Sequence, residues 1–546
     1  MSAATHSIFS RLTALIIDDQ RPMQTLHKNQ LQDIGFTQID LATGPNDALA
    51  LLRSKNYDLV LCDHDLRSHT DGQQLLELLR NENILPLSTI FVMITGNNFR
   101  SDVAAASEHQ PDDYILKPIT VRSLEDRLMA ILKRRAALTP VLQLMRQNDL
   151  HGAVQLCDEL LAKKSDYPTE LQRRKAECLL DMGRFDDARM VYEEVGRLSS
   201  RLAWARLGEA RACFLGGQVD AARDVLRALI ASNEQNMAAY ELLAKVAEES
   251  GQLDEAMRVL TDAAAKVGSA RRHRALGHMA LRTGQLHTAK ESLKQAVKLS
   301  RGSAAAQSDD ALVLAQVHVD LGEPKLAHQV LDEVGASLKD DPSARSALSA
   351  VRSQAFREQG EHAAAGESLR RALDGIEARA DIASILIAKA ALKSGDPALI
   401  ERGARLLEQA VKDDHENLRI VSLARQTLVD TGQQALIASL VDGPAEALKQ
   451  QVAEAKTLLK EREFAKAVER LDALLASYAD NTAVLLETVR AYLLEMSFTG
   501  VNPAKMKRVV ALMARLDALM PHSEKVQLLH HFLARVRAKE QSSAAA

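Results

Sequence analysis

The sequence predicts an α/β domain followed by an all-α array, and three observations carry the prediction. Within residues 12–135, five short apolar runs alternate with five amphipathic stretches. Beyond Leu138 no strand pattern appears, and a glycine recurs at intervals of 33 to 38 residues. Of the 546 residues 46% are hydrophobic, yet only 3% are aromatic (Trp 1, Tyr 7, Phe 10). The apolar content is therefore mostly Ala, Leu and Val, which suits close-packed helices better than an all-β chain. Length alone would suggest three to four domains of about 150 residues each.

In the first region the runs Leu12–Ile17, Gln38–Ala42, Leu59–Cys62, Ile90–Ile94 and Tyr114–Leu116 are expected strands. The stretches Pro22–Ile34, Asn46–Ser54, Gly72–Asn81, Arg100–His109 and Val121–Arg135 are expected helices. Strict alternation implies a doubly wound, five-stranded parallel sheet covered on both faces, with any site at the carboxyl ends of the strands. Residues 1–11 are expected to form a short polar tail without a signal-peptide core, and residues 12–135 the α/β domain.

In the second region the glycines are Gly183, Gly217, Gly251, Gly284, Gly322, Gly360, Gly395 and Gly432. A small residue follows five positions later at Ala188, Ala222, Ala256, Ala289, Ala327 and Ala365. Another precedes by seven at Ala176, Ala210, Ala244, Gly277, Ala315, Ser353 and Ala388. Each unit thus reads as helix, tight turn, helix, with glycine relieving the turn and small residues where the helices cross. The frame resembles the tetratricopeptide repeat, although its aromatic positions and closing proline are mostly replaced; unrelated helical hairpins in a bundle are the alternative. The repeats are expected to be more regular over 138–300 and degenerate over 301–540, with a tail at 541–546. The last two glycine units have Ile400 and Ile437 where alanine is expected. Two further degenerate units are expected at Asn148–Ala153 and Arg462–Ala467.

The α/β region keeps its unusual polar residues at the strand ends: Asp18 and Asp19 after the first, Asp63 at the third, Thr95 at the fourth and Lys117 at the fifth. Gathered in one pocket, three carboxylates repel one another unless a cation intervenes. Hard oxygen ligands favour Mg²⁺. A carboxylate beside Mg²⁺, with a lysine and a hydroxyl nearby, suits phosphoryl transfer to that carboxylate, with Asp63 as nucleophile.

At these positions residues 12–135 resemble the response-regulator receiver domain of two-component signalling. The resemblance implies that Asp63 is the phosphoacceptor. It implies Mg²⁺ held by Asp19 and Asp63, with Asp18 acting largely through water and the backbone carbonyl of Asp65 as a further ligand. Thr95 and Lys117 would contact the phosphoryl group, Tyr114 would be the aromatic switch, and Lys117–Pro118 would be cis. A plain sheet-edge tyrosine is the alternative for Tyr114. One departure is that Asp71-Gly72 lies eight residues past Asp63 rather than seven, with Arg67–Thr70 replacing a proline-containing loop.

Composition excludes other classes. Net charge is −4 overall, with 14 basic and 17 acidic side chains up to residue 135, so neither region has the basic excess of a nucleic-acid-binding module. Four scattered cysteines without metal-ligand spacing read as buried thiols of a reducing compartment, and no apolar run approaches a membrane span. Arg271–Arg274 reads as a solvated helix surface, Lys133–Arg135 as a helix C-terminal cap, and His530-His531 as lacking metal partners. Glu446-Ala447-Leu448 matches the tripeptide naming a family of cyclic-di-GMP phosphodiesterases, but about a hundred residues follow it, too few for such a barrel. The expectation is a cytoplasmic, non-enzymatic response regulator. Its partners would be a sensor histidine kinase or phosphotransfer protein and an unknown protein on the helical repeats, with no nucleic acid and no membrane. By family analogy the partner is another signalling protein, cyclic-nucleotide enzymes being one class, and the receiver face allows a homodimer. The alternatives are a transcription regulator with a cryptic DNA-binding segment and a constitutive scaffold with a vestigial receiver.

Overall fold

The computed structural model describes residues 8–537 except 67–70, 82–83, 87–88, 97–110, 148, 199–201, 301–307, 336–337, 339–340, 375–380, 521–525, 527–528, 531 and 535. The expected helix Arg100–His109 and the loop Arg67–Thr70 lie outside the described residues. By its packing the chain divides into two units, the first running to Arg272 and the second taking up most of the chain after it.

The first unit opens with a five-stranded parallel sheet in the order β2-β1-β3-β4-β5. Its strands are β1 (Thr13–Ile17), β2 (Gln38–Ala42), β3 (Leu59–Asp63), β4 (Ile90–Thr95) and β5 (Asp113–Leu116). Strand alternation sends successive side chains to opposite faces. Leu15, Ile17, Val60, Cys62, Phe91 and Met93 therefore meet α2 (Pro45–Ser54) and α3 (Gly72–Asn81). Ala14, Ile16, Leu59, Leu61, Val92 and Ile94 meet α1 (Arg21–Ile34) and the start of α4 (Val121–Arg146). Phe9, expected in a polar tail, is fully buried in the second cluster with its ring 5.2 Å from that of Phe36.

The expected end of the last helix at Arg135 is corrected. Helix α4 runs 26 residues, through Pro140. Its first half buries Leu124, Leu128 and Ile131 in the sheet's core, and its second half buries Leu138 and Val141 with Ala153, Cys157 and Leu171 of the helices that follow. Burial on both sides of Pro140 offsets the missing backbone donor. Arg134 and Arg135 accordingly sit in mid-helix rather than capping an end. Arg135 donates to Asp112 at 2.9 Å and to the Thr89 carbonyl at 3.0 Å.

The rest of the first unit is helical: α5 (Leu150–Ala162), α6 (Pro168–Asp181), α7 (Phe185–Leu198), α8 (Ala203–Leu215), α9 (Val219–Ser232), α10 (Met237–Glu249) and α11 (Leu253–Lys266). The second comprises α12 (Ala270–Arg282, from His273 on), α13 (Leu286–Ser300), α14 (Ser308–Asp320), α15 (Pro324–Gly335), α16 (Pro342–Glu358), α17 (His362–Leu373), α18 (Ile382–Leu392), α19 (Pro397–Asp413), α20 (Leu418–Asp430), α21 (Gly443–Lys460), α22 (Phe464–Ser477), α23 (Thr482–Thr499) and α24 (Pro503–Leu519). Among the described residues no helix is long and apolar enough to cross a membrane.

The small-residue frame performs as expected. All eight turn glycines have φ between 71° and 81°, a backbone state that side chains disfavour. The six alanines five positions later are fully buried. Gly208 packs so closely that a Cβ there would stand 2.4 Å from the Tyr192 ring. Ser353 uses its hydroxyl at the crossing, donating to the Ala365 carbonyl at 2.7 Å. In the unit with Ile400 the close approach moves to Gly403, where a Cβ would meet Ala391 at 2.9 Å. After Gly432 the second helix is replaced by a 3₁₀ turn (Gln434–Leu436) and a π turn (Ala438–Asp442). At the next turn Arg462 takes glycine's place with φ 63°, and Ala467 five positions on is again fully buried.

The second unit also contains an ion network that the sequence did not announce. Lys389 is buried on α18 between Asp320 at 2.7 Å and Asp430 at 2.5 Å. Six positions before the preceding turn glycines, Gln316 and Gln354 exchange amide hydrogen bonds. Glu446-Ala447-Leu448 lies within α21, where Leu448 is fully buried in the C-terminal core. His530 pairs with Asp517 at 2.8 Å.

Candidate functional site

The parallel sheet brings the carboxyl ends of β1, β3, β4 and β5 together because neighbouring strands run in step. Cys62 pairs with Ile17, Asp63 with Ile94, and Thr95 with Leu116. Asp18 follows β1, Asp63 and Thr95 close β3 and β4, and Lys117 follows β5. One carboxylate oxygen from each of Asp18, Asp19 and Asp63 lies within 4.8 Å of the others. Lys117 Nζ donates to Asp63 Oδ2 at 2.6 Å and stands 3.9 Å from Asp18 Oδ2.

Asp18, Asp63 and Thr95 are almost wholly buried, while Asp19 and Lys117 are half-buried. Among the described residues the cluster meets solvent at Asp19 and Lys117. Burial raises the Asp18 carboxyl above the ordinary range; a hydrogen bond from the Gln20 amide pulls it back, Asp63 adds to the rise and Lys117 opposes it. Oδ2 of Asp18 is buried without a hydrogen bond. A hard cation would use that oxygen, and three clustered carboxylates are a donor set that Mg²⁺ accepts. The Cys62 thiol beside the acceptor is pushed far up by burial, then by Asp63, Asp71 and Asp18, so it stays protonated and does not compete as a nucleophile.

The supports were mostly missed in the sequence. Gln24 Nε2 donates to the carbonyls of Asp18 at 2.7 Å and Ala42 at 3.0 Å, fastening the acidic turn. Gln30 Nε2 donates to the Ile119 carbonyl at 2.8 Å, fastening the turn after Pro118. The available signal was that Gln24, His27 and Gln30 recur every third residue on the buried face of α1. Lys117 is joined to Pro118 by the expected cis bond.

Helix α3 starts directly on the acceptor. Gly72 N donates to the His64 carbonyl at 2.9 Å, and a Cβ at Gly72 would stand 2.4 Å from the Asp63 carbonyl oxygen and 2.8 Å from Met93 Sδ. Asp71 and Gln74 cap the helix reciprocally, at 2.7 Å and 3.1 Å. Tyr114, half-buried on the edge strand β5, donates its hydroxyl to Gln73 Oε1 at 3.1 Å. Burial raises that phenol, with Glu77 and Asp71 adding to the effect, so it remains a donor.

Comparison with known proteins agrees with this geometry. The response regulator receiver domain model matches residues 14–129, and tetratricopeptide repeat models match residues 180–246 and 275–302. The chemotaxis protein CheY of Pseudomonas aeruginosa is 31% identical over 120 residues, which cover 22% of this chain and 95% of that protein. Chemotaxis protein CheY-3 of Vibrio cholerae is 32% identical over 124 residues, covering 22% of this chain and 91% of that protein. Among solved structures, a tetratricopeptide repeat protein from Parabacteroides merdae is 14% identical with a TM-score of 0.34, over 47% of this chain and 98% of that one. The acidic pocket, the strand order, the family models and the CheY relatives agree: the chain belongs to the response-regulator receiver family, with a CheY-like receiver domain at its N-terminal end followed by tetratricopeptide repeats.

Proposed function

We propose that the protein is a phosphorylation-dependent response regulator whose output is protein–protein interaction through its repeats. Asp63 accepts the phosphoryl group from a sensor histidine kinase or phosphotransfer protein. A carboxylate oxygen of Asp63 attacks phosphorus as the bond to the donor's imidazole nitrogen breaks, and the imidazole leaves with the electron pair and takes up a proton. Lys117 neutralises charge on the phosphoryl oxygens, and the Thr95 hydroxyl donates to one of them. Asp18, Asp19, Asp63 and the Asp65 carbonyl are the residues that would hold Mg²⁺. When bound, that ion supplies further neutralisation of the phosphoryl oxygens.

The single observation behind this reading is the 2.6 Å approach of Lys117 to Asp63 within a cluster of three carboxylates. The repeats supply the output because helical-hairpin arrays bind proteins, and no enzymatic activity is assigned to them. Four free, buried cysteines suit action in the cytoplasm.

The test is incubation with acetyl phosphate and Mg²⁺. Wild type is expected to gain a hydroxylamine-labile phosphoryl adduct, and Asp63→Ala none. Labelling retained in Asp63→Ala, or absent from wild type, would sink the mechanism. A pull-down comparing the two proteins with and without phosphodonor tests the output, and identical capture in every arm would mean a constitutive scaffold.

A further inference from the structure

Arg272 departs from the solvated surface expected of the Arg271–Arg274 run. It is only 5% exposed. Its Nε donates to Glu241 Oε1 at 3.2 Å and its Nη1 to the Val267 carbonyl at 3.3 Å. Its Nη2 stands 3.7 Å from Oε2 of Glu77, on receiver helix α3. Arg271 meets the other oxygen of Glu241 at 2.9 Å. Glu241 therefore serves two guanidinium groups, and the receiver's Glu77 supplies the second carboxylate to this group of charges. Buried and half-buried charges are screened far less than exposed ones, so the pairing acts even at physiological salt.

Glu77 is also connected to the acceptor. It lies one helical turn past Gln73 on the same face of α3, and Gln73 accepts from the Tyr114 hydroxyl. The helix begins at Gly72, pressed against the Asp63 carbonyl. A short, stiff element thus has the acceptor and Tyr114 at its start and the bridge to Arg272 one turn further on, at its middle.

We propose that Glu77–Arg272 is an intramolecular latch. It holds receiver helix α3 on the repeats while Asp63 is unmodified, and phosphorylation at Asp63, acting through α3, loosens it. The coupling rests on the phosphorylation reading above, whereas the latch itself does not. Linkage makes the effect reciprocal: if phosphorylation opens the latch, breaking the latch favours phosphorylation.

The test uses the full chain and hydrogen exchange of peptides covering Gly72–Asn81 and residues 267–272. Glu77→Gln, which keeps size and removes charge, is expected to speed exchange in both segments several-fold. Acetyl phosphate with Mg²⁺ should do the same to wild type and add little to Glu77→Gln. Glu77→Gln should also take up label to a higher level at limiting acetyl phosphate. Unchanged exchange at residues 267–272 in unmodified Glu77→Gln would overturn the latch. Wild type that is labelled at Asp63 without faster exchange would overturn its coupling. Wild type that takes no label sinks the phosphorylation reading and the coupling with it, while the unmodified comparison still decides the latch.

Discussion

The ammonium of Lys117 donates to Oδ2 of Asp63 at 2.6 Å and lies 3.9 Å from Oδ2 of Asp18. Among the described residues one cation thus offsets three clustered carboxylates, which leaves the pocket short of positive charge whenever no metal is bound. The shortfall gives the pocket an affinity for divalent ions, and the lysine a role in steadying incoming phosphoryl oxygens.

Replacing Lys117 with alanine should therefore act on chemistry more than on folding. Loss of one such charge contact slows group transfer by about 10²-fold. Phosphoryl uptake from acetyl phosphate, followed in time, checks this. Magnesium should still raise the unfolding midpoint of the variant, by about 2.7 kcal/mol of stability at a hundred times its dissociation constant, and a chelator should reverse the gain.

Gly72 should tolerate no side chain. A Cβ there would stand 2.4 Å from the Asp63 carbonyl oxygen, backbone that cannot swing aside. Gly72→Ala should push the start of α3 outward and destabilise the protein by about 1–3 kcal/mol, as overpacking does. Urea unfolding measures the loss, and label uptake should fall with it because the acceptor's own backbone is displaced.

Lys389 is a buried cation held between the half-buried Asp320 and the exposed Asp430. Burial works to lower its pKa, but the two carboxylates more than offset that and hold it raised. Lys389→Met takes the buried cation away from Asp320, which keeps Lys393 at 3.6 Å, and from the exposed Asp430, and should cost about 1–3 kcal/mol. Replacing Lys389 and Asp320 together by apolar residues of similar volume should restore part of that loss, which denaturant melts of the two variants would show.

Asp413 is a buried carboxyl whose pKa is pushed up to about 6, chiefly by burial, with a hydrogen bond from Gln409 opposing and Asp480 adding to the rise. The folded state therefore holds this proton more tightly than the unfolded chain. Stability falls as pH rises from the ordinary aspartate value through about 6 and is flat above that. Asp413→Asn removes the loss. It should be more stable than wild type by about 2–3 kcal/mol at pH 7, with the gap closing near pH 4. Equal pH profiles for the two proteins in chemical unfolding would contradict this.

How much of this was legible varies with the distance over which the information acts. Short apolar runs marked all five strands to within a residue at each end, because a parallel sheet covered on both faces buries nearly every residue of its central strands. The turn glycines were equally plain, since a positive φ leaves few other choices, and all eight adopt it. Arg462 was harder, because a non-glycine residue hides the same turn. Asp18, Asp19, Asp63, Thr95 and Lys117 stood out as polar residues ending apolar runs. Gln24, Gln30 and Gln73 did not, because an amide on a helix looks the same whether it meets water or a carbonyl from a distant strand.

The sequence by itself determined the sheet, the helical pairs and the acidic strand ends, because local periodicity and backbone preference specify them. Tertiary structure decided the rest. It carried α4 through Pro140, because apolar side chains on both sides of the proline find separate cores. It buried Arg272, expected on a solvated surface, and Lys389, each beside carboxylates far along the chain. Charge and apolarity are properties of a residue, but the dielectric and the partners that give them energy exist only once the chain has folded around them.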